Sequence, residues 1–120
     1  CNRIKSYNPL TNETLKKMAD EIPKVTADIL PNEKLDCVAY GCTSGTIAAG
    51  YASIFKKVNL AKPNTKVTTP ITSALNAIKT LQIKRLSILL GQRDQRHTLI
   101  RKTLKAKLCL LPQRFQNLEF

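Results

Sequence analysis

The stretch LDCVAYGCTSGT, residues 35–46, predicts a buried strand that runs directly into a helix. Residues 35–40 form a short apolar run between a polar turn and Gly41, which is typical of a strand covered on both faces in a parallel sheet. Cys37 lies inside this run and is therefore predicted to be a core thiol. The segment that begins at Thr43 predicts one helix through about residue 57, with Ile47, Ala48, Tyr51 and Ile54 on one face.

The rest of the first 90 residues alternates between helix and strand patterns. Residues 11–30 predict an amphipathic helix that Pro23 kinks or splits in two. A brief strand is expected at 66–68, and Thr69-Pro70 is a suitable start for a helix over 71–81. The apolar run RLSILL, residues 85–90, predicts a last strand. This alternation predicts an α/β fold, with a parallel sheet and flanking helices.

The pattern stops after residue 90. Residues 93–120 contain seven Lys or Arg against two acidic residues, and no helical period is visible. We therefore divide the chain into an α/β domain over 1–90 and a divergent basic tail over 91–120. We predict that a small deletion near codon 91 put this tail out of frame, which sequencing of the parent locus would test.

The net charge of +12 favours an anionic partner, so the alternative function is a small basic binding module for RNA or another polyanion. Such a module would lose affinity as salt rises. The sequence has no recognisable nucleic-acid motif or aromatic stacking surface, and we expect no nucleic-acid partner. No stretch approaches the roughly 18 apolar residues of a membrane span, and no secretory leader is visible, so we expect no membrane contact and a cytoplasmic location.

The four cysteines, Cys1, Cys37, Cys42 and Cys109, could form disulfides or join His97 around a metal. Cys37 and Cys42 have the C-x4-C spacing of a zinc half-site, but the matched second pair that a zinc site would need does not follow. We therefore expect no metal site.

Cys42 is the candidate catalytic residue because it lies where the predicted strand ends and the helix begins. The ligand crevice of an open α/β sheet lies at this edge. The N–H groups at a helix start lower the pKa of a thiol and hold carboxylate oxygens. Thr43 and Ser44 add hydroxyl donors, so a substrate carboxylate could bind beside a reactive sulfur. Residues of these types are also common as helix caps and turn formers, so the pattern alone leaves both interpretations open.

Residues 8–90 resemble the maleate isomerase, arylmalonate decarboxylase and ectoine-utilisation group of the aspartate/glutamate racemase superfamily, and most of all the ectoine-utilisation branch. The resemblance covers about two-thirds of the chain. It rests on NPLTNETL at 8–15, ILP at 29–31, LD at 35–36, AYGCTSGT at 39–46, VTTPITSAL at 67–75 and the strand that ends at 90.

The resemblance implies a cofactor-independent enzyme for small carboxylic acids. In the superfamily two similar α/β halves face each other, and one cysteine from each half flanks the reacting carbon; Cys42 matches the first. Thr43 and Ser44 match positions that bind the substrate carboxylate. The decarboxylases have glycine where Cys42 stands, so the resemblance favours isomerase or racemase chemistry. A homo-oligomer is compatible with this assignment.

Two departures from the family indicate an incomplete Rossmann-like half. The family's opening strand and first helix would precede Cys1, and its second half would follow residue 90. A Thr-Pro-Tyr turn of the family is replaced here by Gly91-Gln92-Arg93. Nothing around Cys109 matches the second cysteine motif, so this chain alone is expected to be inactive.

Overall fold

The computed structural model describes residues 1–83, which contain both helices and strands. The elements are α1 (Asn12–Asp20), α2 (Ile22–Ala27), β1 (Cys37–Ala39), α3 (Thr43–Ala49), α4 (Tyr51–Ala61), β2 (Lys66–Thr68) and α5 (Pro70–Thr80). The chain divides into two units; the first is Cys1–Ile71, and the second begins at Thr72. The predicted strand at 85–90, the tail at 91–120 and Cys109 lie outside the described residues.

β1 and β2 form a parallel two-stranded sheet. Val38 is paired with Val67, and the ladder is extended by N–H donation from Lys66 to the Asp36 carbonyl at 3.1 Å and from Tyr40 to the Thr68 carbonyl at 2.9 Å. α3 and α4 connect the two strands, so the predicted β–α–β order is confirmed for this pair. The fold is thus mixed α/β with a parallel strand pair and helices.

The helical segment before β1 is divided near Pro23, as predicted. α1 begins after Thr11, whose hydroxyl accepts from the Thr14 N–H at 3.2 Å while Thr14 Oγ1 accepts from the Thr11 N–H at 2.8 Å. α1 ends at Asp20, and α2 begins at Ile22 with Pro23 in its first turn. Proline is tolerated there because the N–H it lacks would have no partner inside the helix.

The prediction of one helix from residue 43 to 57 is wrong, because Gly50 divides it into α3 and α4. Gly50 has φ 79° and ψ 145°, so the backbone leaves the right-handed helical region for one residue and then resumes it at Tyr51. This backbone conformation is accessible almost only to glycine. The break changes the direction of the chain between the residues after β1 and the helix that enters the core.

Replacing Gly50 with alanine is expected to lower the free energy of unfolding by about 1–3 kcal/mol, because a side chain is strained at this positive φ. The matched control is Gly41→Ala, since an added Cβ meets no atom within 4 Å at either position but Gly41 has no positive φ. Urea denaturation of both variants measures the difference. Equal unfolding midpoints for the two variants would contradict this explanation of the helix break.

The core of the first unit lies between the two strands and the helices. It consists of the buried residues Ala19, Ile22, Tyr40, Ile54, Val58 and Val67. Lys62 is also buried, and its ammonium group donates to the carbonyls of Leu30 at 2.9 Å and Glu33 at 2.8 Å. These bonds attach the loop before β1 to the end of α4 and satisfy two of the three donors of the lysine.

The prediction that Cys37 is a core thiol is wrong, since Cys37 is exposed. Successive side chains of a strand point to opposite faces, and Val38 and Tyr40 occupy the face that packs on the core. Cys37 and Ala39 therefore lie on the other face, which is open to solvent within residues 1–83. The apolar run correctly predicted a strand, but only one of its faces is covered by the described part of the chain.

Candidate functional site

Cys42 lies at the carboxyl end of β1, immediately before α3. Its backbone is extended, with φ −117° and ψ 107°, and its side chain caps the helix: Sγ accepts from the Gly45 N–H at 3.2 Å. The Cys42 carbonyl accepts from the Thr46 N–H at 2.9 Å and from Thr46 Oγ1 at 2.7 Å. The thiol is partly buried, so the strand-to-helix position predicted for it is confirmed.

The Gly45 N–H has a direct effect on the chemistry of the sulfur. A thiolate accepts a hydrogen bond much better than a thiol does, so this donor stabilises the ionised form. From the sequence, the N–H groups at this helix start were expected both to act on the thiol and to hold carboxylate oxygens. In the structure one of them is already used by Cys42 itself.

Cys42 borders a cavity of about 470 Å³ in the first unit. The cavity is enclosed by the N-terminal segment at 2–4, apolar side chains of α2, the end of β1 and Val58 of α4. Arg3 is the one charged residue among those that line it, and the rest of the wall is largely apolar. A guanidinium group remains protonated at all ordinary pH values, so Arg3 gives this cavity a permanent positive charge.

Thr43 and Ser44 follow Cys42 in the first turn of α3, and both are partly buried. Within residues 1–83 they are not among the residues that line the Cys42 cavity. The structure therefore brings Cys42 together with Arg3 and Tyr40 around this cavity, and leaves Thr43 and Ser44 beside Cys42 along the helix.

Tyr40 is buried, with 8% of its surface exposed, and its hydroxyl has no hydrogen-bond partner among the described residues. Burial is the main cause that raises the pKa of Tyr40 to about 12, and the charge of a Cys42 thiolate and a hydrogen bond to it add to the shift. The phenol consequently keeps its proton at neutral pH and remains a hydrogen-bond donor.

Sequence reasoning missed Arg3 and the Tyr40 hydroxyl as parts of this site, and it predicted a helix N–H donor without assigning it to Gly45. Tyr40 had a usable signal, because residues two apart in an extended stretch lie on the same side and Tyr40 is two residues before Cys42. No sequence pattern indicated Arg3, because its place at the cavity depends on how the N-terminal segment packs.

Residues 1–83 contain neither a metal-binding cluster nor a membrane-spanning helix. No group of three His, Cys, Asp or Glu side chains close enough to hold a metal ion occurs among residues 1–83. The helices in this same range are too short or too polar to cross a bilayer.

Comparison of the chain with protein-family models, curated proteins and solved structures found no match.

Proposed function

We propose that this chain supplies the first half-site of a cofactor-independent, cysteine-dependent isomerase or racemase for small carboxylic acids. The proposal places it in the aspartate/glutamate racemase superfamily, as part of a Rossmann-like half, with Cys42 as the catalytic residue. The observation that carries it is the position of Cys42 Sγ, which lies at the end of a parallel strand, accepts the Gly45 N–H and borders a cavity.

The size and charge of the cavity support a small anionic substrate. Its volume of about 470 Å³ lies within the roughly 300–1,000 Å³ of small-molecule sites. Arg3 would attract a carboxylate, and the largely apolar wall would favour the carbon skeleton of a small acid over a highly polar ligand. Thr43 and Ser44 do not line this cavity, so in this proposal their hydroxyls would meet a carboxylate next to Cys42, at the start of α3.

In the superfamily that the chain resembles, the reacting carbon lies between two groups, one on each side. In an isomerase, a thiolate would add to one carbon of the alkene and leave the electron pair on the other, which allows rotation about the C–C bond before the thiolate is expelled. In a racemase, one cysteine would take the α-proton and the second would return a proton to the opposite face. Cys42 would supply one of these groups, and the second half of the enzyme would supply the other.

Maleate is expected to slow the alkylation of Cys42, because a bound carboxylate would cover the sulfur. The measurement uses the full chain with Cys1, Cys37 and Cys109 replaced by serine, so that iodoacetamide reports on Cys42 alone. Mass spectrometry gives the rate with maleate and with the uncharged, saturated ester dimethyl succinate, which cannot add to a thiol. Protection by maleate but not by the ester is expected, and it should weaken in Thr43→Val and Ser44→Ala.

Ser53→Ala is the matched control, since Ser53 is a partly buried serine of α4 and not an assigned site residue. It should leave the protection unchanged. Equal alkylation rates with maleate, with the ester and with neither would contradict a carboxylate site at Cys42.

The purified chain is expected to show no turnover by itself, because a single thiol cannot act on both faces of a carbon. Loss of the maleate alkene signal or loss of optical rotation of an α-chiral acid, followed over hours by NMR and polarimetry, measures this. Turnover that Cys42→Ala abolishes would show that the chain carries a complete site, and the half-site proposal would then be wrong.

A further inference from the structure

The Tyr40 hydroxyl is a buried polar group whose retention needs an explanation. The side chain is more than nine-tenths buried, yet its oxygen makes no hydrogen bond within the described residues. An unpaired buried hydroxyl destabilises a fold, whereas phenylalanine would fill the same space without that cost. A protein is expected to keep such a hydroxyl if the hydroxyl acquires a hydrogen-bond partner when the protein functions.

The Tyr40 hydroxyl and the Cys42 sulfur converge on the same small space in front of Gly45. A methyl group on Gly45 would overlap the Tyr40 hydroxyl oxygen and would lie 3.0 Å from Cys42 Sγ. The absence of a side chain at Gly45 is what lets both groups approach. The hydroxyl and the sulfur therefore both lie next to Gly45, whose N–H donates to the sulfur.

We propose that Tyr40 is a positioning residue whose hydroxyl donates a hydrogen bond to the Cys42 thiolate and so holds the reactive form of the sulfur. The inference rests on the proposed function in one respect, the assignment of Cys42 as the reactive group. A thiol is a weak acceptor, so the hydroxyl gains a strong partner only when Cys42 ionises. The bond therefore stabilises the thiolate relative to the thiol.

The other groups that face the sulfur do not supply this donor. α1 packs against α3, and its buried residues are the apolar Leu15, Met18 and Ala19. The side chains of α2 and α4 that line the cavity carry no charge, and within it Arg3 alone does. Arg3 also favours the thiolate, but its charge does not change between the parent chain and a Tyr40 variant.

The test is the pH dependence of iodoacetamide alkylation in the chain that keeps only Cys42. Tyr40→Phe should move the midpoint upward by about one pH unit, which is a tenfold loss of thiolate at lower pH. Tyr51→Phe is the matched control, because Tyr51 packs against the same core but donates its hydroxyl to the Val67 carbonyl at 3.0 Å. It should leave the midpoint where it is.

The unfolding temperature distinguishes a Tyr40 that positions the Cys42 thiolate from a Tyr40 that only stabilises the fold. Where Cys42 is protonated, Tyr40→Phe should unfold at the same temperature as the parent or higher, because it deletes a hydroxyl without a partner. Tyr51→Phe should unfold at a lower temperature. A Tyr40→Phe midpoint equal to that of the parent, or a large drop in its unfolding temperature, would overturn the proposal.

A reciprocal measurement does not depend on any substitution at Tyr40. If the two groups interact, Cys42→Ala should make the most alkaline tyrosine titrate at lower pH in absorbance at 295 nm. An unchanged titration would overturn the proposal. If Tyr40→Phe shifts the alkylation midpoint of Cys42 but maleate gives no protection, the proposed function is contradicted and this inference stands. If maleate protects Cys42 but Tyr40→Phe does not shift the midpoint, this inference is contradicted and the proposed function stands.

Discussion

Replacing Ile54 with alanine is expected to lower the free energy of unfolding by about 2–5 kcal/mol. Ile54 is fully buried in α4 and belongs to the core cluster with Val58, Tyr40 and Val67. Three carbon atoms would be lost from a position where the neighbours come from two strands and another helix, so the cavity cannot easily collapse. A domain of this size has a total stability of roughly 5–15 kcal/mol, so a large part of it depends on this side chain.

Leu60→Ala is the control, because Leu60 lies in the same helix and 68% of its surface is exposed. It should change the free energy of unfolding by no more than about 0.5 kcal/mol. Urea denaturation followed by circular dichroism measures both variants. Similar losses for the two would contradict the assignment of Ile54 to the core.

Gly45→Ala is expected to destabilise the protein by about 1–3 kcal/mol, although alanine is the better helix former. The added methyl group would overlap the Tyr40 hydroxyl, and the buried ring of Tyr40 cannot move aside without disturbing the core. Because the same methyl group would lie 3.0 Å from Cys42 Sγ, the reactivity of the thiol should change as well.

A double-mutant cycle isolates this clash. In the Tyr40→Phe background the overlapping oxygen is gone, so Gly45→Ala should cost much less there than in the parent chain. Thermal unfolding of the four proteins gives the coupling energy. Identical costs of Gly45→Ala in both backgrounds would show that the hydroxyl is not what excludes a side chain at this position.

The parts of the fold that were predicted from sequence depend on local signals. Pro23 cannot lie inside a helix beyond its first turn, and Pro70 fits a helix start, so both residues mark boundaries that the structure contains. The strand-to-helix change at Cys42 was visible because an apolar run gives way to small polar residues at Gly41. The parallel pairing of β1 and β2 then follows from the helices that connect them.

The errors arose where the outcome depends on distant parts of the chain or on a single backbone angle. A glycine inside a helical pattern is often tolerated, so nothing in the neighbourhood of Gly50 indicated that it would break the helix. Whether Cys37 is buried depends on which element covers its face of β1, and an apolar run does not contain that information. The approach of Tyr40 to Cys42 beside Gly45 likewise depends on side-chain packing.

The break at Gly50 also has a consequence for how such a protein can diversify. Thr43 and Ser44 lie in α3, whereas Ile54 and Val58 lie in α4, so the residues nearest the sulfur and the central core residues are on separate helices. Substitutions at the half-buried positions of α3 can alter what the sulfur meets without changing the volume of the core. Selection for a new substrate and selection for thermal tolerance can therefore act on different short segments of the gene.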